Sequence, residues 1–265
     1  LIISLTFIPL DSIKTIPFQG KSYIVMEASN QIVIEGSNQD YIQSVASISK
    51  IMTCIIAIEN MELDTIVTVD DTINEAWGSG IYIHIGDKIS LRDLLYGLML
   101  RSGNDAAVMI AKAVAKDIPK FVDMMNDKAK ELNLKNTHFK NATGLHDDDH
   151  YTCAHDLALM AAYLIQIGGE DLLNVTSLYD SYIREDTKQS FWLVNTNKLL
   201  KLYDGVDGLK TGYTKEAGYC LVTTVKRNNQ RIIGVLMKES APKTRNEEMC
   251  SMLDYGFNNY KQEII

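Results

Sequence analysis

The chain has 265 residues, 46% hydrophobic and 23% charged, the proportions of a globular protein with a sizeable core. Acidic residues outnumber basic ones by 34 to 26, for a net charge of -8. The basic residues are scattered, which argues against a nucleic-acid partner or attraction to an anionic membrane surface.

The chain opens on Leu1, and Leu1 to Leu10 are almost wholly apolar. This stretch is too short to span a bilayer, and it reads as the end of a signal-peptide core rather than as a first strand, because a polar lead-in follows. Residues 1–20 are therefore expected to lie outside a catalytic unit covering 21–262. Ser22 to Glu27 and Gln31 to Glu35 flank a polar turn at Ala28-Ser29-Asn30, which predicts a β-hairpin. Ser47 to Met61 is apolar on too many sides for a surface helix and predicts a buried one. Leu91 to Leu100 and Asp105 to Ala115 predict two helices broken at Ser102-Gly103-Asn104. Phe121 to Leu132 and Asp156 to Ile165 predict two more. Tyr219 to Val225 and Arg231 to Met237 predict a second hairpin, and Glu247 to Phe257 a closing helix.

Strands thus lie at both ends of the chain with helices between. That order fits an α+β fold whose sheet joins the two ends around a helical subdomain, not a repeating βαβ unit. The four cysteines, Cys54, Cys153, Cys220 and Cys250, are widely spaced and form no metal or redox pair motif. Cys54 and Cys220 sit in apolar runs and are expected to be core thiols.

Three short motifs carry the chemistry. Ser47 and Lys50 are three residues apart on a predicted helix, hence on one face. A serine at a helix start sits among unpaired backbone N–H groups, which suit an oxyanion on a carbonyl it attacks. Lys50 serves as a base only when neutral, and burial or a second cation, for which Lys210 is the candidate, lowers its pKa. Ser102 and Asn104 at the helix break can aim a hydroxyl and an amide into a cleft, although both residues also favour ordinary helix caps. Lys210 and Thr211 can bind a carboxylate, while Gly212 lets a substrate backbone approach a strand edge; the segment is expected to precede a strand. A further cluster, His146, Asp147, Asp148, Asp149, His150 and His155, has metal-binding side chains but no recognised ligand frame. It is expected to be a polar loop, and no metal or cofactor is expected.

The SxxK, S-x-N and KTG elements in this order resemble those of serine β-lactamases and penicillin-binding proteins. The longer strings narrow the resemblance. Ala46-Ser47-Ile48-Ser49-Lys50-Ile51-Met52-Thr53, Arg101-Ser102-Gly103-Asn104-Asp105-Ala106-Ala107 and Asp204 through Thr214 resemble the low-molecular-weight penicillin-binding proteins, the D-alanyl-D-alanine carboxypeptidases. So do Thr137-His138-Phe139 and Gly144-Leu145-His146 with His150-Tyr151. The resemblance runs from about Ser22 to Tyr260 and implies a β-lactamase-like fold, an antiparallel sheet flanked by helices. It implies Ser47 as the acylated nucleophile, Lys50 as proton acceptor, and Ser102 and Asn104 as completing the proton network. Lys210 and Thr211, assisted by Arg245 just before the last helix, would bind the substrate's terminal carboxylate. The N–H groups of Ser47 and Tyr213 would form the oxyanion hole beside Gly212. The implied substrate is the stem peptide of peptidoglycan, outside the cytoplasm, with β-lactams acylating the same serine. A serine β-lactamase or a slow β-lactam sensor is the alternative. Two departures stand out. Val45 replaces a proline common in the family, and the chain ends at Ile265, where many members continue into a β-rich domain and an amphipathic membrane anchor.

Overall fold

The computed structural model describes residues Ile3–Leu5, Ser22–Tyr260 and Gln262–Ile264. The expected leader, 1–20, lies outside the described residues except for Ile3–Leu5, whose backbone pairs antiparallel with Gln262–Ile264.

Chain order gives β1 (Ser22–Glu27), β2 (Val33–Ser37), α1 (Lys50–Asn60), α2 (Leu91–Tyr96), α3 (Asn104–Ala115), α4 (Ile118–Glu131) and α5 (Ala154–Thr176). There follow β3 (Asp180–Ile183), β4 (Phe191–Val194), β5 (Val206–Thr214), β6 (Gly218–Arg227), β7 (Gln230–Glu239) and α6 (Pro242–Asn259). One five-stranded antiparallel sheet runs in the order β5-β6-β7-β1-β2. The β7–β1 pairing joins the C-terminal hairpin to the N-terminal one, the closure expected of an α+β chain with helices inserted between.

Alternation of side chains along each strand divides the core in two. Ile24 and Met26 face one side with Val222, Ile233 and Val235. Tyr23 and Val25 face the other with Leu221, Ile232 and Leu236, where Met249, Met252 and Leu253 of α6 cover them. Every residue of β1 is buried, as a strand covered on both faces requires. On the first face lie α1 and α5, and α1 is buried from Lys50 through Ala57. That explains its nearly continuous apolar sequence.

Several boundaries differ from expectation. The helix expected from Ser47 starts with a 3-10 turn, Ala46–Ser49, before α1 proper. Helix α5 is longer than Asp156 to Ile165 and passes through a break at Gly169 (φ 53°, ψ -145°); the adjacent glycines, Gly168 and Gly169, hide its second half from a propensity reading. Lys210-Thr211-Gly212 does not precede a strand but sits inside β5, at the edge of the sheet. Its glycines fall where the strand meets other backbone, so they resemble a turn in sequence. Arg245 lies within α6, whose start at Pro242 is earlier than Glu247 because proline suits a first helical turn. The β3–β4 hairpin, with strands of four residues each, is too short to register by periodicity. Cys54 and Cys220 are buried free thiols, as expected.

Candidate active site

The site forms where the start of α1 meets the edge of the sheet and the α2–α3 break. In the 3-10 turn, Ala46, Ile48 and Ser49 are buried, which leaves Ser47 half-exposed. Lys50, one turn on, is fully buried. Its Nζ lies 3.0 Å from Ser47 Oγ, 2.7 Å from Asn104 Oδ1 and 2.5 Å from the Thr143 carbonyl. The orientation of Asn104 follows from its other contact, because Nδ2 donates to the Trp77 carbonyl at 2.5 Å. Its Oδ1 must therefore face Lys50.

These three neighbours have chemical consequences. A carbonyl and an amide oxygen only accept. In a neutral Lys50 they take its two N–H groups and leave the lone pair for the Ser47 hydroxyl, the one neighbour able to donate. Burial holds the Lys50 pKa well below the ordinary lysine value, and the nearby Lys210 cation lowers it further, against a smaller opposing pull from Asp105. Burial and the Lys210 cation both act to favour the neutral form of the amine that lies against Ser47.

Two loops hold this arrangement. Asn141 Oδ1 accepts from Thr143 N (3.1 Å), Thr143 Oγ1 (2.9 Å) and Gly144 N (2.8 Å), an Asx turn that presents the Thr143 carbonyl. Thr53 of α1 donates to Ala142 O at 2.7 Å, tying the same loop to the helix. On the other side, buried Asp105 accepts from Ile81 N and Tyr82 N (each 2.7 to 3.0 Å) and from Ala106 N (2.8 Å). This fixes the 77–82 segment, whose Ser79 carbonyl accepts from Asn104 N at 2.6 Å.

Ser102 lies buried at the break in a left-handed conformation (φ 64°), after a π turn at Gly97–Arg101, with Gly103 as the cap of α3. It stands beside this cluster in the chain but is not among the hydrogen-bond partners of Lys50. Gly212 explains its own identity: a Cβ there would lie 3.0 Å from Ile48 N and 3.1 Å from Ser47 N. Only glycine lets β5 pass so close to the backbone of Ser47 and Ile48. Tyr213 is 56% exposed and its ring stacks on Tyr219 at 4.3 Å.

Lys210 is buried, donates to the Thr211 carbonyl at 2.8 Å, and has its pKa lowered to about 7 by burial and by the Arg245 cation. Arg245 is also buried, its own pKa lowered by burial, and its guanidinium donates to Asn246 Oδ1. Among the described residues no carboxylate forms an ion pair with Lys210 or Arg245. Two buried basic groups without a carboxylate partner carry a desolvation cost that an anion beside them would offset.

Sequence reasoning gave no role to Thr143, Asp105 or Thr196. The Thr196 and Thr211 hydroxyl oxygens are 2.6 Å apart. Thr196 stands between Asn195 and Asn197, both buried; Asn195 Nδ2 donates to Thr176 O and Leu178 O, and Asn197 Nδ2 to Gly208 O. The Asn-Thr-Asn string was the available signal, since buried asparagines this fully bonded fix a loop. The His/Asp cluster is dispersed: His150 is buried against Phe139, His155 pairs with Asp40 and His146 with Asp148. Burial lowers the His150 pKa to about 4. Among the described residues no group of three or more His, Cys, Asp or Glu is placed to hold a metal ion. Val45 adopts φ -108°, outside the range a proline ring allows.

A half-exposed serine on a buried helix, backed by a buried lysine and faced by a sheet edge, is set in a β-lactamase-like fold, an antiparallel sheet flanked by helices. Comparison with known proteins narrows this. The chain belongs to the family described as D-alanyl-D-alanine carboxypeptidase, whose model matches residues 12–241. It is 43% identical over 221 residues to D-alanyl-D-alanine carboxypeptidase DacF of Bacillus subtilis, covering 82% of this chain and 56% of that protein. The structure is similar to penicillin-binding protein 6B of Escherichia coli, with a TM-score of 0.86 at 30% identity over 95% of this chain and 81% of the other. It is equally similar to the Streptomyces K15 DD-transpeptidase, with a TM-score of 0.86 at 27% identity over 93% and 100% of the two chains. The chain spans between 56% and 58% of the length of the first curated relatives it matches.

Proposed function

We propose that residues 21–262 form a serine-type D-Ala-D-Ala carboxypeptidase unit that removes the terminal D-alanine from peptidoglycan stem peptides. One observation carries the reading: buried Lys50 Nζ lies 3.0 Å from Ser47 Oγ, and its other two neighbours, Asn104 Oδ1 and the Thr143 carbonyl, can only accept. In this reading Lys50 Nζ takes the Ser47 proton as Oγ attacks the carbonyl between the two D-alanines. The N–H groups of Ser47 and Tyr213 hold the resulting oxyanion. The proton passes through Ser102 to the leaving amine, the C–N bond breaks, and D-alanine departs. Water then frees Ser47 by the reverse proton path. Asn104 orients Lys50 and the substrate amide, while Lys210, Thr211 and Arg245 bind the terminal carboxylate. The substrate places the reaction outside the cytoplasm, and β-lactams enter as false substrates that acylate Ser47. Among the described residues no helix is long and apolar enough to cross a membrane.

The test combines turnover with labelling. Release of D-alanine from a peptide ending in D-Ala-D-Ala, its loss in Ser47→Ala, and a penicillin adduct located on Ser47 by mass spectrometry are expected. An adduct elsewhere, or sustained penicillin turnover without D-alanine release, would turn the reading towards another site or a β-lactamase. Likeness to a DD-transpeptidase supports a second fate for the acyl-enzyme, capture by an amine instead of water.

Thr196 enters here. Thr211 Oγ1 donates to Thr196 Oγ1, a bond that fixes the Thr211 hydroxyl oxygen beside the proposed carboxylate site. Thr196→Val removes that acceptor with little change of shape. Loss of one such bond predicts a KM for the peptide roughly 3- to 10-fold higher with kcat nearly unchanged, and Thr196→Ser restores it. A fall in kcat at constant KM would contradict this role.

A further inference from the structure

Beside the catalytic cluster lies a groove of about 700 Å³ lined by Ile73, Trp77, Tyr82, His84, Ile85 and neighbouring backbone. One of its walls is the segment Trp77–Gly80. That same segment supplies the carbonyls of Trp77 and Ser79 that hold the Asn104 side chain and amide. The groove and the substrate-orienting amide therefore share a wall.

The lining has a distinct chemistry. Trp77 is 68% and Tyr82 57% exposed, with Ile85 exposed alongside. Tyr82 is held outward in the left-handed region, φ 58°, by Asp105, which accepts its N–H at 2.7 Å. A bulky aromatic in that conformation is unusual and persists only where neighbours impose it. Its ring is steadied from one side by Phe191 of β4, edge to face at 5.6 Å. Among the described residues lining the groove the one carboxylate, Asp105, accepts from three backbone amides. His84 is the one other titratable lining group besides the Tyr82 phenol. Such a groove offers no fixed charge to a charged side chain or an anion. It offers flat aromatic faces, aliphatic edges, and a few polar groups such as Asn74 and His84 to an uncharged amphipathic ring.

We propose that this groove is a saccharide subsite, which binds the amino-sugar end of a glycan-linked stem peptide while the D-Ala-D-Ala end reaches Ser47. The inference rests on the stem-peptide reading above and adds a second point of attachment. The carboxylate is gripped at β5 and α6, and the sugar is stacked on Trp77 and Tyr82 on the far side of Asn104. Binding energy from this remote unit lowers KM for glycan-linked peptide relative to free peptide.

The test compares kcat/KM for a free pentapeptide ending in D-Ala-D-Ala with that for the same peptide carrying a GlcNAc-MurNAc disaccharide on its N-terminus. Two stacked faces predict a preference of about tenfold for the sugar-bearing form. Trp77→Ala/Tyr82→Ala is expected to bring the ratio close to one, and the ratio cancels any effect on the shared catalytic centre. Trp77 and Trp192 are the two tryptophans of the chain. In Trp192→Phe, quenching of the remaining fluorescence by the disaccharide peptide and not by the free peptide is expected, independent of turnover. A wild-type ratio near one, a ratio that follows peptide length instead of sugar, or equal quenching by both peptides overturns the subsite. Failure to release D-alanine from either peptide overturns the proposed function instead, and the quenching then decides the groove alone.

Discussion

Lys50→Met is expected to slow acylation of Ser47 by about 10³-fold, within the range a positioned general base contributes. Methionine fills much of the lysine's volume, but its thioether sulfur is not basic enough to take the Ser47 proton at neutral pH. Folding is expected to survive, although the Thr143 and Asn104 oxygens lose their donor, at about 1–3 kcal/mol each. The measurement is the rate of covalent penicillin attachment, with circular dichroism as a check on the fold. Undiminished acylation would remove Lys50 from the base role. The pH profile gives the sign. Lys50 acts when unprotonated, and burial with the Lys210 cation keeps its pKa depressed. The rate therefore falls as pH drops through that depressed value. Lys210 acts as a cation and has a pKa near 7, so capture of a carboxylate substrate weakens as pH rises through about 7. A bound carboxylate raises that value. The alkaline limb of kcat therefore lies higher than that of kcat/KM. In Lys210→Met the alkaline limb disappears, and the acid limb moves to higher pH because the neighbouring cation that restrained Lys50 is gone.

Gly144→Ala is expected to cost about 2 to 4 kcal/mol of stability and roughly 10²-fold in acylation rate. Gly144 has φ 80°, and an added Cβ would stand 2.1 Å from the Ala46 carbonyl oxygen and 2.7 Å from Ser49 Oγ. The first of these is backbone and cannot turn aside. Relief must come from moving the 3-10 turn that carries Ser47, or from moving the loop that presents the Thr143 carbonyl. Either separates Ser47 from Lys50. Gly86→Ala is the control. Gly86 has a similar φ, 91°, but open space around it, so only the backbone penalty of about 1 kcal/mol applies and activity stays. Thermal unfolding and penicillin acylation of both variants separate strain from displacement. Equal effects in the two would mean that the contact with Ala46 carries no weight.

The α+β order was legible because the strands at both ends are apolar and bounded by polar turns, and because α1 is too apolar to be a surface helix. The β7–β1 pairing could be anticipated for the same reason: two hairpins with buried edges at opposite ends of the chain need a common sheet. The β3–β4 hairpin and the second half of α5 were not legible. Strands of four residues and a helix broken at Gly169 leave no period long enough to detect.

In the site, sequence spacing put Ser47 and Lys50 on one face, and the helix break put Ser102 and Asn104 at a chain reversal. Residue chemistry offered Lys210 and Thr211 as groups able to bind a carboxylate. These inferences are local, because a helix turn and a cap involve only near neighbours in the chain. Only the tertiary structure brought Asn104 to within 2.7 Å of Lys50, 54 residues away, and placed the Thr143 carbonyl, 93 residues away, on the same amine. It also decided the depressed lysine pKa values, since these arise from burial and from cations brought together by folding. The sequence by itself determined which groups are available and which are adjacent on one element. The tertiary structure decided which oxygen atoms face the lysine, because those oxygens come from loops far apart in the chain.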